Sequence, residues 1–278
     1  MTIKEALAWA RARLIESCER PLFEAELLMA YHLGVERIYL ATNEHKELRS
    51  KEVFEQIVLR RASNEPYEYI TNSVSFYDIE LFVKHGVLIP RPETELLIDE
   101  VSKIISENCI TKIAEIGIGS GAISIVLARK FPNLKITATD ISDDALEIAA
   151  RNIKSFELED NIKLIKTNLL DGIDDDFELI VSNPPYIAND IVLESNVQDH
   201  EPHNALFGGL VGDELLKDII TLAKVKNIKF LACEMGYDQK ESLELYLTNI
   251  GVQYHHFYDD LAGLNRGFTA SFDASKVP

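Results

Sequence analysis

The stretch Lys112–Asp140, KIAEIGIGSGAISIVLARKFPNLKITATD, decides the fold. KIAEI reads as a strand, GAISIVLARKF as a helix and KITATD as a second strand. Between the first strand and the helix lie Gly117, Gly119 and Gly121. Glycines there let the backbone turn without a Cβ clash and approach a ligand closely. The same alternation continues downstream. DDALEIAARNIKSF is a helix with Ser142 as its N-cap, and IKLIK and FELIVS are strands. DELLKDIITLAKV is a helix, FLACEM a strand and DQKESLELYLTN a helix. VQYHHFYD and GFTASFD read as two further strands. Strands alternating with helices imply an α/β, doubly wound, mostly parallel sheet of the Rossmann-like kind. Ligands in such sheets bind beyond the carboxyl ends of the strands. That rule selects the positions after Ile116, at Asp140, after Lys166 and after Val181.

Upstream the pattern is different. Residues 2–70 read as helices, opened by Thr2 and Glu5 at capping-box spacing. Gly34 is a stop for the second helix. Ser73–Pro90, SVSFYDIELFVKHGVLIP, changes to strand period and suggests a hairpin bridging two domains. Pro92 then stands near a helix start, with acids in the first turn. The expected division is residues 1–70 (helical), 71–90 (hairpin linker) and 91–278 (sheet domain).

The 278 residues, 46% hydrophobic, allow a sizeable core. No apolar run approaches the ~20 residues that span a bilayer, and the N-terminus lacks a signal-peptide pattern. Cys18, Cys109 and Cys233 are odd in number and far apart, which fits a reducing cytoplasm and argues against a disulfide framework. Of the 28 Lys/Arg and 46 Asp/Glu, residues 1–70 hold 10 and 12 and the remainder 18 and 34. The strongly acidic sheet domain disfavours nucleic acid as a stable partner.

Nineteen residues past Gly121, Asp140 ends the second strand and can accept ribose hydroxyls. Two cofactors fit the loop Glu115–Ala122, EIGIGSGA. Gly117, Gly119 and Ala122 satisfy a loose dinucleotide fingerprint. Glu115, Ile116, Gly117, Ile118, Gly119 and Gly121 also resemble the acid-x-Gly-x-Gly-x-Gly loop of S-adenosylmethionine methyltransferases. Glu115 favours the second, since a carboxylate repels a pyrophosphate and suits the cationic methionine end of a methyl donor. At the end of the third strand, Asn168 can bond an adenine amine and Leu169 can cover its ring.

Leu179–Asp190, LIVSNPPYIAND, stops a buried strand with Asn183, Pro184, Pro185 and Tyr186. Proline has no backbone donor, so this turn offers carbonyl acceptors and few amides. Asn183 adds a side-chain acceptor, Tyr186 a flat wall. The prolines stiffen the lip by holding φ at about −65°. Such a lip suits a substrate –NH2 group. An amide nitrogen is a poor nucleophile because its lone pair is delocalised, as the rotation barrier of ~18–20 kcal/mol shows. Hydrogen bonds from both N–H groups, to Asn183 and to the Pro184 carbonyl, would orient it and favour charge building up on it.

Asn-Pro-Pro-Tyr after the fourth strand resembles the amino-methyltransferases. Together with IPRPETE (Ile89–Glu95), EPHNALFGGLVGDELLKDII, CEMGYDQ and YDDLAGLNRGFTA, the chain resembles the release factor glutamine methyltransferases over almost its whole length. The resemblance implies a class I S-adenosylmethionine methyltransferase fold. It implies methyl transfer to the glutamine of the Gly-Gly-Gln motif of peptide chain release factors in translation termination. It places Glu115 to Gly119, Asp140, Leu169 and Asn183 around the donor, Asn183 to Tyr186 on the substrate glutamine, and Pro90 to Glu93 close to the donor. The helical domain would help dock the release factor. Glu115, Asn168, Asn72, Gly267 and Phe268 depart from the family's usual residues.

Other readings compete. An adenine-N6 methyltransferase shares loop and lip but lacks a basic recognition domain. An NAD-linked dehydrogenase explains the loop and Asp140 but neither Glu115 nor the lip. A binding module without turnover leaves the lip unexplained. DHEPH (Asp199–His203) reads as a surface loop rather than a metal site, and His255 and His256 point to opposite strand faces. No metal is expected. Glu234 is either structural or borders the pocket, and Trp9 belongs to the helical core. A cytoplasmic monomer is the default expectation.

Overall fold

The computed structural model describes residues 1–252 and 254–272. Gln253 and Asp273, parts of the last two expected strands, lie outside the described residues. The chain forms two units. The first comprises Met1–Ser73 with Leu193–His200, the second Val74–Val192 with the described residues from Glu201 onward.

In the first unit, α1 (Ile3–Leu14), α2 (Pro21–Leu33), α3 (Ile38–Thr42), α4 (Lys51–Ala62) and α5 (Tyr67–Thr71) follow in order. Thr2 opens α1 with a complete capping box: the Glu5 amide donates to Thr2 Oγ1 at 3.2 Å and the Thr2 amide to Glu5 Oε2 at 2.8 Å. Gly34 closes α2 in the left-handed region. Asn72 closes α5 at φ 55°, a conformation asparagine tolerates, with Nδ2 donating to the Tyr69 carbonyl. Ala6, Ala10 and Leu14 meet Leu28, Met29, Phe54 and Val58 in a buried core, and Trp9 packs at its edge. The short α9 (Ser195–Gln198) also belongs to this unit.

The second unit begins with the hairpin β1 (Val74–Phe76) and β2 (Ile79–Leu81). The hairpin also covers the sheet domain: Phe76, Ile79 and Leu81 are buried in the same core as Leu97, Ile98 and Val101 of α6 (Thr94–Asn108). There follow β3 (Lys112–Ile116), α7 (Ala122–Lys130), β4 (Lys135–Asp140), α8 (Asp143–Ser155), β5 (Ile162–Lys166) and β6 (Leu179–Ser182). After these come β7 (Ile187–Ala188), β8 (Phe207–Gly209), α10 (Glu214–Val225), β9 (Phe230–Glu234), α11 (Lys240–Asn249), β10 (Tyr254–Asp259) and β11 (Asn265–Ser271). Seven strands make one sheet in the order β10-β11-β9-β6-β3-β4-β5. The five from β9 to β5 run parallel, and β11 runs antiparallel between β9 and β10.

Strand period two distributes the core. Ile113, Val181 and Ala232 face α6 and α7, whereas Ala114, Ile180 and Leu231 face α10 and α11. The chain leaves β3 towards β4 and β5 on one side and later returns to β6 and β9 on the other. The reversal opens a crevice between the carboxyl ends of β3 and β6, where such sheets hold ligands.

The sequence reading did not anticipate the small β7–β8 pair, because two- and three-residue strands carry no measurable period. It backs the Asn183–Tyr186 turn. A Cβ on Gly208 would overlap the Pro185 carbonyl, and one on Gly212 would stand 2.5 Å from the Tyr186 carbonyl. Neither neighbour is a flexible side chain. Gly208→Ala is therefore expected to cost about 1–3 kcal/mol through overpacking, read as a lowered denaturation midpoint at unchanged m-value. A wild-type midpoint would show that the turn yields.

Candidate active site

The carboxyl ends of β3, β4 and β6 surround an open cleft, where sheets of this kind hold ligands. Gly117, Gly119 and Gly121 have φ of 76°, 54° and 87°, a region costly for residues with a Cβ. The Gly117 and Ile118 amides donate to the Thr139 carbonyl at 2.9 and 3.0 Å. The Gly119 amide donates to Asp140 Oδ2 at 3.1 Å, and the Ser142 amide to Asp140 Oδ1 at 2.9 Å. Loop and acid are thus one unit, and each Asp140 oxygen retains acceptor capacity for a ligand hydroxyl. Leu169 holds φ 48°, with its carbonyl accepting from Thr139 Oγ1 at 2.8 Å. A strained leucine backbone is a common mark of a ligand wall.

Glu115, Ile116, Gly117, Ile118, Gly119, Asp140, Asn168, Leu169, Asn183 and Pro185 all line this cleft. Gly121, Pro184 and Tyr186 are not among its lining residues. Gly121 instead precedes α7 and packs towards Ile125 and Ala149. Pro184 is buried. The Tyr186 hydroxyl donates to Glu234 Oε1 at 2.9 Å. Of Pro90 to Glu93, only Pro90 lines the cleft, joined by Thr94.

A further wall comes from Pro202, Asn204 and Ala205, for which DHEPH gave no sign. The surface-loop reading of this segment needs correction at Glu201. That carboxylate is 4% exposed, accepts from the Ile89 amide at 3.0 Å and pairs with the Arg91 guanidinium. It ties the loop to IPRPETE, and a buried charge requires such partners. His200 lies in the first unit, its Nε2 3.2 Å from the Ser63 carbonyl. Among the described residues no group of three or more His, Cys, Asp or Glu side chains is placed to hold a metal ion.

Period two puts Glu115 on the Ile113 face of β3, beneath α7, where the Ser124 hydroxyl donates to it. Burial pushes its carboxyl up to about 8 against the favourable Ser124 contact. The sequence reading treated Glu115 as a carboxylate; with that value it is mainly protonated at pH 7, so charge at this position does not by itself exclude a pyrophosphate. Because its folded pKa is raised, the stability it contributes is full below about 4.5 and is lost as pH rises through about 8. Glu115→Gln is expected to remove that decline, which approaches about 1.4 kcal/mol per pH unit inside the window. Thermal melts of both proteins across pH 4–9 check this, and parallel curves would refute the assignment.

Residues 5–71 match the family model described as the PrmC N-terminal domain, and residues 92–199 match the Methyltransferase small domain. The release factor glutamine methyltransferase of Dictyoglomus turgidum is 39% identical over 83% of this chain and 83% of its own. That of Clostridium acetobutylicum is 33% identical over 96% and 97%. Among solved structures, the hMettl16 catalytic domain in complex with MAT2A 3'UTR hairpin 6 superposes with a TM-score of 0.60 at 20% identity, covering 81% of this chain and 82% of that one. At that identity the likeness is one of fold.

Proposed function

The chain belongs to the release factor glutamine methyltransferases, and from that premise we propose that it methylates the side-chain amide of the glutamine in the Gly-Gly-Gln motif of peptide chain release factors. The observation that carries the reading is Asn183, which lines the cleft at the reversal point of the sheet beside the glycine loop. The lip alone does not separate a glutamine amide from an adenine amine; membership of the family makes that choice.

The cleft fits S-adenosylmethionine as the methyl donor. Asp140 has acceptor capacity for its ribose, Asn168 and Leu169 stand for its adenine, and Gly117 to Gly119 with Glu115 for its methionine end. Bound there, it would supply an electrophilic methyl group on a sulfonium. Asn183 Oδ1 and the Pro184 carbonyl accept the two N–H groups of the glutamine. They hold the nitrogen still and favour the positive charge that develops on it. Transfer would form one N–C bond as the S–C bond breaks, and the nitrogen would then lose one proton to water. The charged nitrogen is strongly acidic, so no strong base is required. The polypeptide does not accumulate charge.

Residues 1–70 would dock the release factor, 71–90 would link, and 91–278 would carry the chemistry, as a cytoplasmic monomer. No described helix is long and apolar enough to cross a membrane. Incubation of a release factor with the protein and S-adenosylmethionine, followed by peptide mass spectrometry, is expected to add one methyl mass to the Gly-Gly-Gln peptide. Asn183→Ala should lower that yield at least about a hundredfold, the scale of losing one preorganised electrostatic contact. Methyl gain elsewhere, with that peptide untouched, would overturn the substrate assignment.

A further inference from the structure

The lip is held from behind by a buried chain of hydrogen bonds. Asn183 Nδ2 donates to Thr94 Oγ1 at 3.0 Å. Thr94 Oγ1 donates to Glu234 Oε2 at 2.6 Å. The other Glu234 oxygen takes the Tyr186 hydroxyl. Thr94 and Glu234 are 4% and 2% exposed. Three separate elements meet here. Thr94 opens α6, Glu234 ends β9 on the face that packs α6, and Asn183 follows β6.

The polarity of this chain has a consequence for Asn183. Both Glu234 oxygens act as acceptors, one for the Thr94 hydroxyl and one for the Tyr186 hydroxyl. The Thr94 hydroxyl therefore directs its proton to Glu234 and turns its lone pairs towards Asn183. Only the NH2 end of the Asn183 amide can meet them. The amide is planar, so Oδ1 points away from Thr94, and Asn183 lines the cleft. A flipped amide would set oxygen against oxygen at Thr94 and offer the substrate a donor where its own N–H must donate. Burial pushes the Glu234 carboxyl up, against the hydrogen bonds from Thr94 and Tyr186 and the nearby Arg266 guanidinium, which is itself anchored to Asp260 Oδ2 at 2.9 Å.

We propose that Thr94 and Glu234 are positioning residues that fix the orientation of the Asn183 amide, so that the lip presents an acceptor and selects the nitrogen end of the substrate amide over its oxygen. The proposal rests on the methyl-transfer reading for its substrate, but the orientation itself does not.

Thr94→Val keeps the side-chain shape and removes the hydroxyl, Thr94→Ala removes it with less volume, and Thr94→Ser retains it. With a release factor as substrate, kcat should fall at least about tenfold in the Val and Ala variants, since the lost contact strengthens in the transition state. KM for the release factor and donor affinity should each change by less than about threefold, and the Ser variant should recover most of kcat. A second readout needs no substrate. In ¹⁵N spectra, the Asn183 side-chain amide, assigned by its loss in Asn183→Ala, should show one exchange-protected proton in wild type and Thr94→Ser and none in Thr94→Val. Unchanged kcat in the Val and Ala variants, equal losses in Ser and Val, or an Asn183 amide indifferent to Thr94 would each overturn the proposal. Thr94-dependent protection in a wild-type protein that leaves the release factor unmethylated would refute the substrate reading and keep the orientation.

Discussion

Two adjacent prolines at the end of a buried central strand impose the constraint from which the site follows. Pro184 and Pro185 have no N–H, so the turn after β6 is rich in acceptors and poor in donors. Buried acceptors must still be met. The Tyr186 carbonyl receives Gln239 Nε2 at 2.8 Å. The Ile187 amide finds the Leu206 carbonyl at 3.0 Å and so starts the β7–β8 pair. Gly208 and Gly212 allow that pair to lie directly against the turn. The protein thus satisfies the rear of the turn, and Asn183 is left bordering the cleft.

The sheet decides where this turn stands. Because β3 sits between β4 and β6, the glycine loop after β3 and the turn after β6 emerge side by side. Asp140 reaches the same crevice from the end of β4 and is hydrogen-bonded to the loop. A donor site and an acceptor lip are then neighbours by topology alone. Side-chain alternation supplies the rest: Glu115 on β3 and Glu234 on β9 lie on the same face of the sheet, both under helices, both pushed up by burial. Each is met by a hydroxyl, Ser124 or Thr94.

Much of this was legible from local pattern. The strands KIAEI, KITATD and IKLIK and the helix stop at Gly34 follow from period and turn chemistry. The parallel sheet followed from alternation. The cleft residues of the glycine loop, Asp140 and Asn183 followed from the rule for strand ends. What escaped is long-range. Glu201 looked like part of a polar loop, and only the fold brings it to Arg91, 110 residues earlier. Thr94 stood inside IPRPETE without a role of its own. Glu234 remained undecided because its partners, Thr94 and Tyr186, lie 140 and 48 residues away. The ionisation of Glu115 was misjudged for a related reason, since burial is a property of the packed sheet and not of the sequence around it.

The chemistry depends on which end of the substrate amide meets the lip. The most direct measurement is a crystal structure of the protein with a release factor and S-adenosylhomocysteine, at a resolution where amide nitrogen and oxygen are assigned from their partners. The account predicts the glutamine Nε2 within about 3 Å of both Asn183 Oδ1 and the Pro184 carbonyl, with Asn183 Nδ2 still on Thr94. A glutamine that turns its oxygen to the lip, or an Asn183 that leaves Thr94 to reach it, would contradict the account.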